Sequence, residues 1–202
     1  MKQDRVVLTL ALLLAAMSSA SPARAQRSNP TAAQPLQLSA FGAVAGVYTG
    51  LSEGKNFSLV AGVDLGLPPH LGMRPTLELR GLYPVDNGVV DSQRDILGGL
   101  KVDFLLNHRL HPYADFLFGR GQMNYGSAGY YYKNYIYDLT TTYVYSPGAG
   151  LDFRIADHLA IKVDGQFQRW SSAPTPSGNV YSKVGSLGLV YIFDFNRHGV
   201  IR

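Results

Sequence analysis

The 202-residue chain contains no cysteine, so no disulfide staples it, and neither a thiolate metal site nor a cysteine nucleophile is available. Beyond its first residues it has no apolar run of the roughly 20 residues that a spanning helix needs, which excludes an α-helical membrane protein. Charge is sparse, at 16% of residues, with a net of only +4.

What is present begins with a compartment signal. Lys2 and Arg5 form a basic start, residues 6–17 are an apolar run, and Ala23-Arg24-Ala25 is an A-x-A cleavage pattern. Residues 1–25 read as a secretory signal peptide, the alternative being an uncleaved anchor. Removing them takes away three basic residues and one acidic residue, and the remaining 15 and 13 net to +2. That balance excludes nucleic acid as an expected partner. Residues 26–35, with Pro30 and Pro35, read as a short periplasmic arm.

Residues 73–83, M-R-P-T-L-E-L-R-G-L-Y, show the pattern that then recurs. Met73, Pro75, Leu77, Leu79, Gly81 and Tyr83 are apolar or small, while Arg74, Thr76, Glu78 and Arg80 alternate with them. Successive side chains of a strand point to opposite faces, so this is a strand with one greasy and one ionic face. A soluble sheet would turn the charges to water; a membrane barrel would turn the leucines to lipid. Seven further stretches alternate in the same way, over 36–50, 57–67, 94–106, 112–119, 143–155, 159–168 and 183–195.

Eight strands is an even number, as in bacterial outer-membrane barrels. The connections 67–72, 107–111 and 156–158 are short, while 84–93, 120–141 and 171–181 are longer, the asymmetry of periplasmic turns against extracellular loops. The connection 50–55 is the exception, and 120–141 is the longest irregular segment. The fold class expected is all-β: an eight-stranded antiparallel transmembrane β-barrel spanning 36–195, with short periplasmic turns and longer extracellular loops. Richness in Gly (22) and Tyr (13) agrees, since glycine eases curvature and tyrosine lines membrane interfaces.

The ionic faces together carry Asp64, Arg74, Glu78, Arg80, Asp95, Lys101, Asp103, Asp115, Asp152, Arg154, Lys162 and Asp164. The interior of an eight-stranded barrel is just wide enough for side chains, so these are expected to fill the lumen as a paired network. Pairs of Glu78 or Arg80 with Lys101 or Asp103 on a neighbouring strand are expected. Pro75 has no N–H to donate and belongs at the periplasmic rim, where pairing ends.

Two stretches now carry a resemblance. N-H-R-L-H-P-Y-A-D-F-L-F-G at 107–119 and G-S-L-G-L-V-Y-I-F-D-F at 185–195, with the signal and eight alternating strands, resemble the small outer-membrane β-barrel superfamily. That group includes the opacity proteins and the membrane domain of outer-membrane protein A. The resemblance implies a C-terminal assembly signal at Ser186, Gly188, Tyr191, Phe193 and Phe195, read by the barrel-assembly machinery. The chain departs from the pattern by carrying a short periplasmic tail, 196–202, after Phe195, and it lacks a peptidoglycan-binding domain.

The candidate binding surface is the loop bearing Tyr130, Tyr131, Tyr132, Lys133, Tyr135 and Tyr137, because tyrosine supplies rigid contact area with a polar tip. The competing reading makes these residues protruding strand and interfacial girdle beside Trp170 and Tyr181. His70, His108, His111, His158 and His198 all fall in periplasmic turns or the tail, where solvated imidazoles are the ordinary reading and no metal is expected. Barrel enzymes resemble one another in activating a nucleophile or water from the extracellular or membrane level. Here that side offers Ser171, Ser172 and Ser177 without a histidine, so no catalysis and no cofactor are expected.

The function expected is a monomeric integral outer-membrane protein with a structural or surface-interaction role. Its partners would be outer-membrane lipid, the assembly machinery and an extracellular ligand at the loops. The alternative is a narrow passive, porin-like channel.

Overall fold

The computed structural model describes residues 36–51, 54–85, 91–126, 129–171 and 175–193. The expected signal peptide, arm and tail, together with Phe195, Ser172 and His198, lie outside the described residues.

Among the described residues there are ten strands: β1 (Gln37–Tyr48), β2 (Lys55–Gly66), β3 (Met73–Pro84), β4 (Asp91–Phe104), β5 (Leu110–Tyr125), β6 (Tyr130–Tyr132), β7 (Tyr135–Tyr137), β8 (Leu139–Ala156), β9 (Leu159–Ser171) and β10 (Asn179–Phe193). Eight of them close one antiparallel barrel in the order β1-β10-β9-β8-β5-β4-β3-β2, and β6 pairs only with β7. β1 closes the ring, matching Leu38 to Phe193 and Tyr48 to Lys183 on β10 while pairing with β2 on its other side. Closure leaves the barrel itself without an edge strand.

Strand ends at the short-turn end fall within two residues of the alternating stretches. At the long-loop end five of the eight, β4, β5, β8, β9 and β10, extend further than that. β5 runs six residues past 119 and β8 begins four before 143, so the described residues of 120–141 form strand, hairpin and strand instead of an irregular segment. The reason is visible on the outer face of β5. Phe116 and Phe118 give way to Arg120, Gln122 and Asn124 on the outer face while Met123 and Tyr125 make the inner face apolar, so the greasy-out, polar-in pattern reverses while backbone pairing continues.

Pro75 sits where the β2–β3 ladder ends, at Gly66 opposite Thr76. Its carbonyl accepts from the Leu67 N–H at 2.8 Å, and the reciprocal donor that proline lacks falls at the end of pairing. The β2–β3 turn is a two-residue hairpin loop closed by reciprocal bonds between His70 and Met73, with Leu71 at φ 51° and Gly72 at φ 76°.

Apolar side chains meet inside the barrel in two clusters. One gathers Phe41, Ala43, Ala45 and Val47 of β1 with Val60, Leu82, Ala160, Val184 and Val190. The other, toward the long-loop end, gathers Leu51, Leu97, Leu117, Met123, Tyr125, Val144, Trp170 and Val180.

Candidate functional site

The inward positions of β9 read Ala160, Lys162, Asp164, Gln166, Gln168 and Trp170 from the short-turn end to the long-loop end, and all are buried. This ladder passes from ion through amide to indole, and the lumen follows it.

Nearest the short turns, Lys101 of β4 is 2% exposed and gathers three carboxylates: Asp64 of β2 at 3.0 Å, Asp152 of β8 at 3.1 Å and Asp103 of its own strand at 3.2 Å. One level deeper, Arg80 of β3 pairs with Glu78 at 2.5 Å and reaches Asp164 of β9 at 2.9 Å and Asp115 of β5 at 3.8 Å. β3 and β9 stand four strands apart in a ring of eight, so the Arg80–Asp164 pair spans the full diameter. The expected pairing of Glu78 or Arg80 with Lys101 or Asp103 is therefore corrected. In so narrow a lumen long side chains find partners across the ring as well as on the strand beside them.

Tyr113 links the two ionic layers. Its hydroxyl donates to Asp164 at 2.8 Å, and its ring lies 4.2 Å from both the Lys101 and Lys162 ammonium groups. Lys162, 1% exposed, also faces the Phe41 ring at 4.6 Å and lies 4.0 Å from Asp152. Aromatic faces thus take part of the role of anions around it.

The twelve ionic candidates all project from inner faces, but they do not form one network. Asp95 stands apart from the cations and accepts from the Gln168 amide at 3.1 Å. Gln168 in turn accepts from Gln93, Trp170 and Ser182 at 2.6, 3.2 and 3.1 Å. Arg74 bonds Gln37 in a small vestibule open toward the short turns, which Arg154, Asp103 and His111 also line.

His111 is buried rather than a solvated turn residue, with its Nε2 3.0 Å from the Asn107 carbonyl oxygen, because β5 starts two residues earlier than alternation suggests. His70 and His108 are exposed and His158 is half-buried beside the Ile192 carbonyl. Among the described residues, no three His, Asp or Glu side chains are grouped to hold a metal ion.

Trp170 is not part of an interfacial girdle. It is fully buried in the lumen, where its indole N–H donates to Gln168, whereas Tyr181 does face outward. The sequence reading passed over this because it took tryptophan as an interface marker instead of following the even positions of β9 to their end. The ring occupies the space a Cβ on Gly121 would need, and Tyr113 fills the same space at Gly150, so both glycines are sites of close approach.

Above the indole stands the β6–β7 hairpin, turned at Lys133 and Asn134, both in the left-handed region. Its cross-strand pairs put Tyr130, Tyr132, Tyr135 and Tyr137 on one face and Tyr131 with Ile136 on the other. Tyr130 and Tyr137 pack on the upper apolar cluster, with the Tyr130 ring 5.4 Å from that of Tyr125. Tyr131, Tyr135 and Ile136 are 68%, 68% and 67% exposed. Lys133 lies over the Tyr132 ring at 5.3 Å. Ile136 was absent from the candidate surface; its pairing with Tyr131 is what brings it there.

Of the expected assembly-signal residues, Ser186 and Gly188 face inward and Tyr191 outward, with the Tyr191 and Phe193 rings 5.0 Å apart. Gly188 lies against the backbone of Gly42 and Ala43 on β1.

No family profile and no curated protein sequence matches the chain. Its three-dimensional structure is similar to that of Neisserial surface protein A, at 16% identity and a TM-score of 0.51, covering 78% of this chain and 97% of that one. The fold is that of the small outer-membrane β-barrels. Similarity extends to a de novo designed transmembrane β-barrel, at 15% identity and a TM-score of 0.48, over 83% of this chain and all of that one. It extends also to Ail, the attachment invasion locus protein of Yersinia pestis, at 12% identity and a TM-score of 0.45, over 78% and 97%. Identities this low speak of the fold alone.

Proposed function

We propose that the protein is an integral outer-membrane barrel with a surface-interaction role, in which a closed barrel holds the β6–β7 hairpin as a rigid extracellular contact site. The observation that carries this is the split of the hairpin. Tyr130 and Tyr137 anchor it on the barrel's apolar roof, which leaves Tyr131 and Ile136 on the opposite face and Tyr135 beside the turn exposed as preordered contact residues.

Support for the membrane setting comes from the outer wall, where Leu77, Leu79, Ile96, Leu100, Phe116, Val163, Leu187 and Leu189 are all exposed. Large exposed apolar surface of this extent needs lipid or protein against it. Along β10 it is bounded by Tyr181 and Tyr191, about 25 Å apart along the barrel axis for a strand tilted as outer-membrane strands are. Cells displaying the chain are expected to adhere to immobilised matrix protein, and Y131A/Y135A/I136A to lose that adhesion without loss of folded barrel. Equal adherence by the variant would refute the contact-site reading. For the membrane setting, unheated and boiled samples should migrate differently in SDS gels, and identical migration would refute it.

The channel alternative is opposed by the Arg80–Asp164 crossbar and by the indole above it. In planar bilayers no stable open level is expected from the wild type. An open level that grows when Arg80 or Lys101 is neutralised would favour the channel instead.

A further inference from the structure

The outer wall carries charge as well as the lumen, and the charge is one-sided. Lys55, Arg94, Arg120, Arg169 and Lys183 project outward from β2, β4, β5, β9 and β10 and are exposed. All five stand within the three outward rows nearest the long-loop end. Among the described strand residues, no Asp or Glu projects outward.

Two of the five converge. Tyr48 of β1 is cross-strand partner to Lys183 on one side and to Lys55 on the other. Two strand spacings separate the lysines by about 10 Å, so their flexible four-carbon stems can bring both ammonium groups onto one anion above Tyr48. Neither has a hydrogen-bond or ion-pair partner among the described residues. Arg169 lies diagonally from Lys183, opposite Tyr181.

Directly beneath runs a row without side-chain bulk. Gly46 is matched to Gly185, Gly185 to Gly165 and Gly165 to Ala149, so four adjacent strands present only glycine or alanine at one level. Tyr48, Phe57, Pro147 and Phe167 rise around it, leaving an open groove of about 1140 Å³ on the outer wall. A Cβ at Gly46 or Gly185 would meet open space, so tight backbone packing does not require these glycines.

We propose that this face binds a phosphate-bearing lipid, with Lys55 and Lys183 holding the phosphate and an acyl chain lying in the groove over Gly46, Gly185 and Gly165. The proposal rests on the reading of the barrel as membrane-spanning. Charge complementarity selects the occupant. A second copy of the chain would bury unpaired lysines against an apolar wall, whereas an amphiphile with an anionic head and apolar tail satisfies both parts of the face. The lysines reach the head because long cationic side chains carry their charge up to the interface while their stems stay apolar.

The test uses the full chain folded into phosphatidylcholine nanodiscs, with phosphatidate, diacylglycerol or inorganic phosphate added and bound molecules counted by native mass spectrometry. Phosphatidate is expected to be retained, with binding about fivefold weaker for each of K55Q and K183Q. G185L, which fills the groove without disturbing the backbone, is expected to weaken phosphatidate binding as well. Retention of diacylglycerol equal to phosphatidate, binding of inorganic phosphate alone, unchanged affinity in K55Q/K183Q, or a dimer in place of lipid would each overturn the proposal. Failure of the chain to enter nanodiscs as a heat-modifiable barrel would instead refute the membrane reading, so the two failures are distinguishable.

Discussion

In the half of the lumen nearer the short turns, Lys101 and Arg80 hold six carboxylates between them, counting Glu78, Asp64, Asp103, Asp115, Asp152 and Asp164. In the half nearer the long loops, Trp170, Leu97, Leu117, Met123 and Val144 fill the same bore around a small amide cluster. The difference lies in what each half tolerates. An ionic plug depends on every partner being present, because a removed charge strands the others in a dry interior. An apolar plug depends on volume, and a slightly smaller side chain costs only the atoms it lacks and the space it leaves.

The comparison can be broken most severely at Arg80. R80M leaves Glu78, Asp164 and Asp115 without their shared cation and is expected to cost about 3–5 kcal/mol, measured by urea unfolding of the barrel in lipid vesicles. A loss under about 1 kcal/mol would mean that water enters this half freely, since exposed pairs contribute only that much. In the other half, W170F removes the bond to Gln168 and part of the volume above Gly121, for an expected loss of about 1–2 kcal/mol by the same measurement. A loss as large as that of R80M would erase the distinction between the two halves. The smallest effect lies at the rim below the ionic half. Leu71 occupies the left-handed region that asparagine tolerates better, so L71N is expected to stabilise the barrel by about 0.5 kcal/mol.

Legibility followed chemistry. The middle part of each strand was plain, because an apolar outer wall and a packed, largely polar lumen put opposite chemistries on alternate residues. Beyond that zone the outer face turns polar, at Arg120 and Gln122 on β5 and Thr141 on β8, while the inner face of β5 turns apolar at Met123 and Tyr125, so the pattern reverses and the strand extensions and the hairpin between them were read as loop. Trp170 was misplaced for a related reason. Its residue type suggested an interface, while its parity on β9, in step with Lys162 and Asp164, put it inside. Lys183 had the converse history, sitting in an apolar row where nothing in the alternation marked it until the ring of neighbours set Lys55 beside it across Tyr48.

By itself the sequence determined the number of barrel strands, the alternation of their side chains between two faces, and that both signs of charge share one of those faces. Those properties are local, carried by a period of two along each strand. Only the tertiary structure decided who meets whom: that Arg80 crosses the full bore to Asp164, that Lys101 unites three strands, that four small residues line up into a groove, and that two tyrosines dock their hairpin. Register and closure determine such meetings. They arise from backbone pairing between strands up to a hundred or more residues apart, which no run of side chains along one strand encodes.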